Sequence, residues 1–294
     1  MNRITERACA KINLSLDVTG KRENGYHEID GVMQSIGLCD LVTVGAERAE
    51  STEIILSARG NDEMPLSEKN LAYRAAKIYL EALKITARVE IFIEKTIPMA
   101  GGLAGGSSDA AAVLRALNKL LDSPLGIDEL CSLGAKLGAD VPFCICGGAM
   151  RTQGIGDRLS PVPSMPSCSI LIARRGEGVS TPWAYGELDR RYGDFAEGVA
   201  RPDANLPALL VALDRGDLAG VCSTAYNIFE ETVRGVRPDV GYLIEAMTEG
   251  GALLSRMSGS GPSVFGIFDD AERAEKVRRA LLEAGAEAHL CEPA

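Results

Sequence analysis

Residues 97–112 read IPMAGGLAGGSSDAAA, with Gly101, Gly102, Gly105 and Gly106 running into Ser107 and Ser108. Glycine is costly to order, so a cluster of it answers a need for a sharp turn or for close approach of something to the backbone. The first N–H groups of a helix lack intrahelical partners, and the helix dipole favours an anion beside them. Glycines opening a helix therefore read as a phosphate cradle. A packing turn that needs glycine for geometry alone is the alternative. Two charges are also out of place. Lys11 lies inside the alternating stretch ACAKINLSL, and Asp140 precedes the apolar run VPFCIC. Lysine is seldom buried unless paired. Either Cys9, Lys11 and Asn13 face a polar cleft, or they form a solvated strand face. Asp140 is either a helix-end aspartate or a chemical group.

The elements that must position these residues follow from periodicity. Segment 88–94, RVEIFIE, alternates as a strand before the loop, and DAAAVLRALNKLL after it carries Ala110, Val113, Leu114, Leu117, Leu120 and Leu121 on one helical face. Ser107 or Ser108 is a natural N-cap for that helix, which Pro124 and Gly126 should end. Strands are predicted over 8–19, 40–45 and 169–173, and helices over 69–84, near 205–213 and 238–248, and over 271–284. The stretch LLSRMSGSGPSVFGIFD reads as strand, glycine turn, strand, with a short final strand at the end of the chain. A Gly/Pro/Ser-rich segment at 147–167 suggests a domain boundary, giving domains 1–152 and 153–294. Strands and helices mix without a regular βαβ rhythm, so the class is α+β.

Composition narrows the functions. A formal net charge of −10 argues against a nucleic-acid binder, which needs a basic face. No apolar run is long enough to cross a membrane, and the charged N-terminus MNRITER lacks the apolar core of a signal peptide, so a cytoplasmic protein is expected. Eight cysteines without CxxC pairs, and only His27 and His289, speak against zinc and for reduced, buried thiols.

Known phosphate loops discriminate further. Ser107 stands where a Walker loop needs lysine after Gly106, and the glycine spacing is wrong for a dinucleotide fold. What matches is P-x-A-G-G-L-A-G-G-S-S at 98–108. It resembles the ATP loop of the galactokinase, homoserine kinase, mevalonate kinase and phosphomevalonate kinase (GHMP) superfamily. Within it, AKINLSL, REN-GYH, the glycine loop and LGADVP appear in the order of one branch, with VSTPWAY and SGSGPSVF extending the likeness along the chain.

The resemblance implies a two-domain fold: an N-terminal domain like ribosomal protein S5 domain 2, a ferredoxin-like C-terminal domain, and an active site in the cleft between them. It implies ATP as phosphoryl donor, Mg²⁺, and a small cytidine-diphosphate-linked methylerythritol acceptor of the non-mevalonate isoprenoid route, phosphorylated at its 2-hydroxyl. Asp140 would be the catalytic base and Lys11 its partner. Asn13 would hold the methylerythritol end, with Tyr26, His27 and Tyr185 around the cytosine. ATP would lie along Pro98, Met99, Ala100, Gly101, Gly102, Leu103, Ala104, Gly105, Gly106, Ser107 and Ser108. Asn70 and Lys95 would approach its base, although Asn70 could instead cap a helix and Lys95 end a strand in solvent. A monomer or weak homodimer is expected, with no nucleic-acid or membrane partner. Ala100 and Ala104 replace glycines of some relatives, and Asp109 replaces an asparagine. A homoserine- or mevalonate-type kinase, or a non-catalytic nucleotide-binding module, are the rival readings.

Overall fold

The computed structural model describes residues 1–122, 125–195 and 204–294; Pro124, expected to help end the helix after the loop, lies outside the described residues. The chain forms two compact units that exchange segments. The first comprises Met1–Ala10, Cys39–Pro98 and Ala104–Gly147; the second comprises Lys11–Leu38, Met99–Leu103 and Gly148–Ala294.

The elements that contribute to the first unit are β1 (Asn2–Lys21), β2 (His27–Arg48), β3 (Glu53–Arg59), α1 (Leu71–Leu83), β4 (Ala87–Glu94), α2 (Gly105–Leu120), α3 (Ile127–Ala135) and α4 (Val141–Cys146). β1 and β2 are long enough to serve both units. The strands run in the order β3-β4-β2-β1. β4 pairs antiparallel with β2, placing Ile91 opposite Val44, and parallel with β3. Its alternation buries Val89, Ile91 and Ile93 on one face, as a period of two requires. α2 buries Ala110 through Leu114, Ala116 and Leu117. The small alanines let it pack closely on α1, which offers Ala72, Ala75, Ala76 and Tyr79. α4 was legible only as an apolar run: Pro142 sits in its first turn, where a missing N–H costs nothing, and Gly147 at φ 71° ends it.

The expectation that all cysteines are reduced is corrected here. β1 and β2 are neighbours, and they bring Cys9 and Cys39 together as a disulfide with Cα atoms 4.0 Å apart. Strand register, which linear spacing does not reveal, decides that contact. The other six cysteines form no disulfide among the described residues, and Cys146 is exposed rather than buried.

The second unit adds β5 (Ala149–Gly154), β6 (Arg158–Pro161), β7 (Ser169–Arg174), α5 (Thr181–Tyr192), a 3-10 turn at Gly193–Phe195, α6 (Leu206–Arg215), α7 (Leu218–Thr224), β8 (Tyr226–Asn227), α8 (Phe229–Arg234), α9 (Pro238–Glu249), β9 (Leu254–Met257), β10 (Val264–Phe268), α10 (Ala271–Glu283) and β11 (Glu287–Cys291). The Gly/Pro/Ser-rich segment 147–167 holds the β5–β6 hairpin, with β5 paired to residues 29–34 of β2. Its glycines serve the turn: Gly154 and Gly156 have φ of 70° and 100°. β8 extends the edge of β1 at Ser15 and Leu16. The remaining four strands form an antiparallel sheet in the order β11-β7-β10-β9, the ferredoxin-like arrangement. Val240, Leu243 and Met247 of α9 and Ala274, Val277 and Leu281 of α10 fill its core.

Candidate active site

The glycine loop begins in the first unit at Ile97 and Pro98, crosses the second at Met99–Leu103, and returns at Ala104. Ala100, Gly102 and Ala104 all adopt left-handed backbone, with φ of 52°, 78° and 59°. This alternation winds the loop tightly. At 100 and 104 the chain tolerates alanine where glycine would be unstrained, at a cost of about 1–2 kcal/mol each. The helix starts earlier than the serines suggest. Ala104 is its N-cap, without any side-chain cap, and Gly105 is its first residue. Ser108 is not a cap. Its hydroxyl donates to the Cys9 carbonyl at 2.6 Å and lies 3.2 Å from Cys144 Sγ, tying α2 to β1 and α4. The first N–H groups of α2 thus receive no side-chain cap from Ala104 or Ser108. Ser107 is half-buried and Gly106 exposed.

The part of the loop in the second unit rests on the SGSGPS turn. Ser258 Oγ donates to the Gly102 carbonyl at 3.0 Å, and Ser263 N donates to the Gly101 carbonyl at 3.2 Å. Arg174 donates to the Met99 carbonyl. Asn227 holds the turn from below, its amide donating to the carbonyls of Met257 and Gly259 at 2.7 and 2.9 Å. A Cβ on Gly102 would stand 2.1 Å from the Ser258 carbonyl oxygen, a backbone atom that cannot step aside. Gly102→Ala is therefore expected to lower stability by at least about 1–2 kcal/mol from its left-handed φ alone. Thermal melting is the measurement, and an unchanged melting temperature would mean that the turn accommodates the side chain.

Lys95 is neither a solvated strand end nor presented to solvent. Its ammonium is buried against two carboxylates, Asp40 Oδ2 and Asp109 Oδ2, the latter at 2.8 Å. Asp40 Oδ1 accepts from the backbone of Thr96 and Ile97 at 2.5 and 2.8 Å. One cation thus staples the strand that enters the loop to the helix that leaves it. Burial acts to lower the Lys95 pKa, but Asp109 and Asp40 outweigh it and hold the lysine charged. Asp109 is 2% exposed and its Oδ1 has no partner. Burial pushes its pKa up to about 7, against Lys95, which lowers it. A carboxyl raised in the folded state keeps its proton there while the unfolded chain, near pH 4, has lost it. Stability from this group should therefore fall as pH rises from about 4 to about 7. Asp109→Asn should flatten that slope in urea unfolding measured at pH 5 and pH 7.5, and an identical slope would remove Asp109 as its source. Asp40 carried no sequence signal beyond one charge in the apolar run GLCDLV.

Asn70 is committed to its own helix. Its Oδ1 accepts from Ala72 N at 2.8 Å and its amide donates to the Pro65 carbonyl at 3.0 Å. The following Leu71 lies beside Gly106.

Lys11, in the second unit, is 4% exposed and donates to Asn13 Oδ1 at 2.7 Å. Its backbone N–H bonds the Leu103 carbonyl at 3.1 Å, and a Cβ on Gly259 would sit 3.3 Å from its Nζ. The ammonium thus stands at the glycine turn, on a polar face of β1 and not in solvent. Asp140, in the first unit, is the N-cap residue of α4, yet its side chain makes no cap hydrogen bond. It is half-buried, and its backbone carbonyl takes the Cys144 N–H at 3.1 Å.

The Asn24-Gly25 turn forms as the sequence indicates, with Gly25 at φ 84° and Tyr26 N bonded to Asn24 Oδ1 at 3.2 Å. It presents Tyr26, 60% exposed. His27 stacks on Tyr185 with ring centroids 4.6 Å apart and meets Phe195 edge-on. Its Nε2 lies 2.6 Å from Asp189 Oδ1, and Lys21 bonds the other oxygen at 2.8 Å. Burial works against the charge on Asp189, but Lys21 and His27 prevail and hold its pKa low. No sequence signal marked Asp189; α5 brings it to β1 and β2 through tertiary packing. The second unit thus stacks His27 on Tyr185, while Tyr26 stands exposed on the preceding turn.

The GHMP kinases N terminal domain matches residues 70–148, and the GHMP kinases C terminal domain matches residues 209–287. A 4-diphosphocytidyl-2-C-methyl-D-erythritol kinase of Bacillus cereus (strain B4264) is 43% identical over 275 residues, covering 94% of this chain and 91% of that protein. One of Geobacillus kaustophilus (strain HTA426) is 43% identical over 279 residues, covering 95% and 93%. A crystal structure of 4-(cytidine 5'-diphospho)-2C-methyl-D-erythritol kinase superposes with a TM-score of 0.80 at 33% identity, covering 99% of both chains.

Proposed function

The chain belongs to the 4-diphosphocytidyl-2-C-methyl-D-erythritol kinase family of the GHMP kinases, and from that membership we propose that it transfers the γ-phosphoryl group of ATP to the 2-hydroxyl of 4-diphosphocytidyl-2-C-methyl-D-erythritol. The products are ADP and the 2-phosphate, in non-mevalonate isoprenoid synthesis. The observation that carries the reading is the uncapped, glycine-lined start of α2, together with the His27–Tyr185 stack. An anion cradle and an aromatic recess are the two recognition elements that such a pair of substrates requires.

Residues 1–152 form the ATP-binding domain and 153–294 the C-terminal domain in this reading. ATP phosphates lie along Pro98 to Ser108, their charge met by the N–H groups at Gly105 to Ser107. Ser107 supplies the hydroxyl for phosphate or Mg²⁺, because Ser108 is committed to Cys9. Mg²⁺ supplies neutralising charge on the phosphates when bound. Asn70 and Lys95 serve the nucleotide from behind, as cap and staple. Asp140 takes the proton from the 2-hydroxyl, and Lys11, steadied by Asn13, meets the charge that develops there. Tyr26, His27 and Tyr185 hold the cytosine. The protein works in the cytoplasm, as a monomer or weak homodimer, without a nucleic-acid partner. Among the described residues no helix is long and apolar enough to cross a membrane.

ADP release, measured with this cytidyl acceptor, mevalonate, phosphomevalonate, homoserine and galactose in parallel, tests the assignment. Release with the cytidyl acceptor alone is the expected result. Release with another acceptor would overturn the substrate, and ATP binding without any release would favour a non-catalytic module. Tyr26→Ala is expected to raise the KM for the cytidyl acceptor about 10-fold or more with little change in kcat, since base–aromatic stacking contributes about 1–3 kcal/mol per base. An unaltered KM would take Tyr26 out of the site.

A further inference from the structure

Cys131 of α3 and Cys146, the last residue of α4, have sulfur atoms 3.6 Å apart. We propose that these two thiols form a redox-modification site that a low-molecular-weight disulfide closes to an intramolecular disulfide. Cys146 is exposed and Cys131 partly so, and a small oxidant can therefore reach them. A disulfide needs its sulfurs about 2 Å apart, a short approach for two side chains already in contact. Gly147 and Gly148, both left-handed at φ 71° and 67°, follow Cys146 and give its backbone room to adjust. The poise of the thiols fits. The hydrogen bond between the two sulfurs holds the Cys146 pKa down, at about 7, against burial and the nearby Asp128. Cys131 itself is raised, first by that same hydrogen bond. One nucleophile and one resolving thiol result.

The step balances. The Cys146 thiolate attacks glutathione disulfide, forming a mixed disulfide and releasing one glutathione thiolate. Cys131 then loses its proton and attacks the Cys146 sulfur, releasing the second. The two protein thiols lose two electrons, glutathione disulfide gains them, and the two protons end on two glutathiones. The linkage would fasten the end of α4 to α3. Since Asp140 is the N-cap residue of α4, its effect on turnover rests on the proposed role of that residue.

The test equilibrates the full chain with glutathione and glutathione disulfide at pH 7.5, traps thiols with N-ethylmaleimide and digests with trypsin. The sequence places Cys131 in peptide 120–136, and Cys144 and Cys146 in peptide 137–151. The expected result is a linked pair of these peptides, two hydrogens lighter than their sum and carrying one N-ethylmaleimide on Cys144. It should be kept in Cys144→Ser, lost in Cys146→Ser and reversed by excess reduced glutathione. A stable glutathione adduct on Cys146 with no linked pair would overturn the proposal, as would a pair that persists in Cys146→Ser. Turnover is read separately: it should fall several-fold on oxidation in the parent and hold in Cys146→Ser. Linkage without that fall would overturn the coupling to Asp140 and leave the site itself standing.

Discussion

Asp140→Asn is expected to fold like the parent and to lose roughly 10²–10⁴ in kcat, the usual share of a positioned acid or base. The structure separates the two effects. An N-cap aspartate normally accepts from the next turn, and its loss costs about 1 kcal/mol. Asp140 makes no such bond. Its half-buried side chain therefore carries no capping energy for substitution to remove. Circular dichroism and thermal melting should overlay the parent within a few degrees, while ADP release with the cytidyl acceptor collapses. Binding of both substrates should persist, because asparagine has nearly the same shape. Turnover near that of the parent would remove Asp140 as the base. A large loss of melting temperature would instead give Asp140 a structural role that its geometry does not provide.

Lys95→Met is expected to lower the free energy of unfolding by roughly 3–5 kcal/mol, the cost of stranding a buried partner charge. Here Asp40 would lose its cation, and Asp109, no longer held down by Lys95, would be pushed further toward its protonated form at a cost to folding. Asp40 would still accept from Thr96 and Ile97, but Asp109 would lose the Lys95 ammonium that faces it. The cluster also predicts how the loss is repaired. Adding Asp109→Asn removes the cost of burying or protonating that carboxyl, so the double variant should be more stable than Lys95→Met alone. The two substitutions share contacts and should not add. Urea unfolding of the four proteins at pH 7.5 measures the cycle. A small loss for Lys95→Met, equal in both backgrounds, would mean that the ammonium is not the staple of the loop.

Lys95 and Asn70 illustrate why some roles resist reading from sequence. A lysine at the end of the strand RVEIFIEK looks like a solvated cation, and an asparagine before an apolar helix looks equally like a cap or a ligand. What decided Asn70 was local: its bonds go to Ala72 in the first turn of α1 and to the Pro65 carbonyl just before the helix. What decided Lys95 was a partner 55 residues earlier, Asp40, brought alongside by the pairing of β2 with β4. His27 and Asp189, 162 residues apart, make the same point.

The sequence by itself determined the features set by short-range physics. It placed the strand and helix around the glycine loop, the Asn24-Gly25 turn, the α+β class, and the family through motifs that stay contiguous. Alternation with a period of two and burial with a period of 3.6 need only neighbouring residues. Tertiary structure alone decided what depends on register and on burial. It buried Lys95 between two carboxylates, moved the start of α2 from the serines to Gly105, turned the Gly/Pro/Ser-rich stretch into a hairpin on β2, joined Cys9 to Cys39, and set Cys131 against Cys146. Those contacts join residues far apart in the chain. A one-residue slip of β2 would part Cys9 from Cys39 and Lys95 from Asp40 while leaving the local composition unchanged.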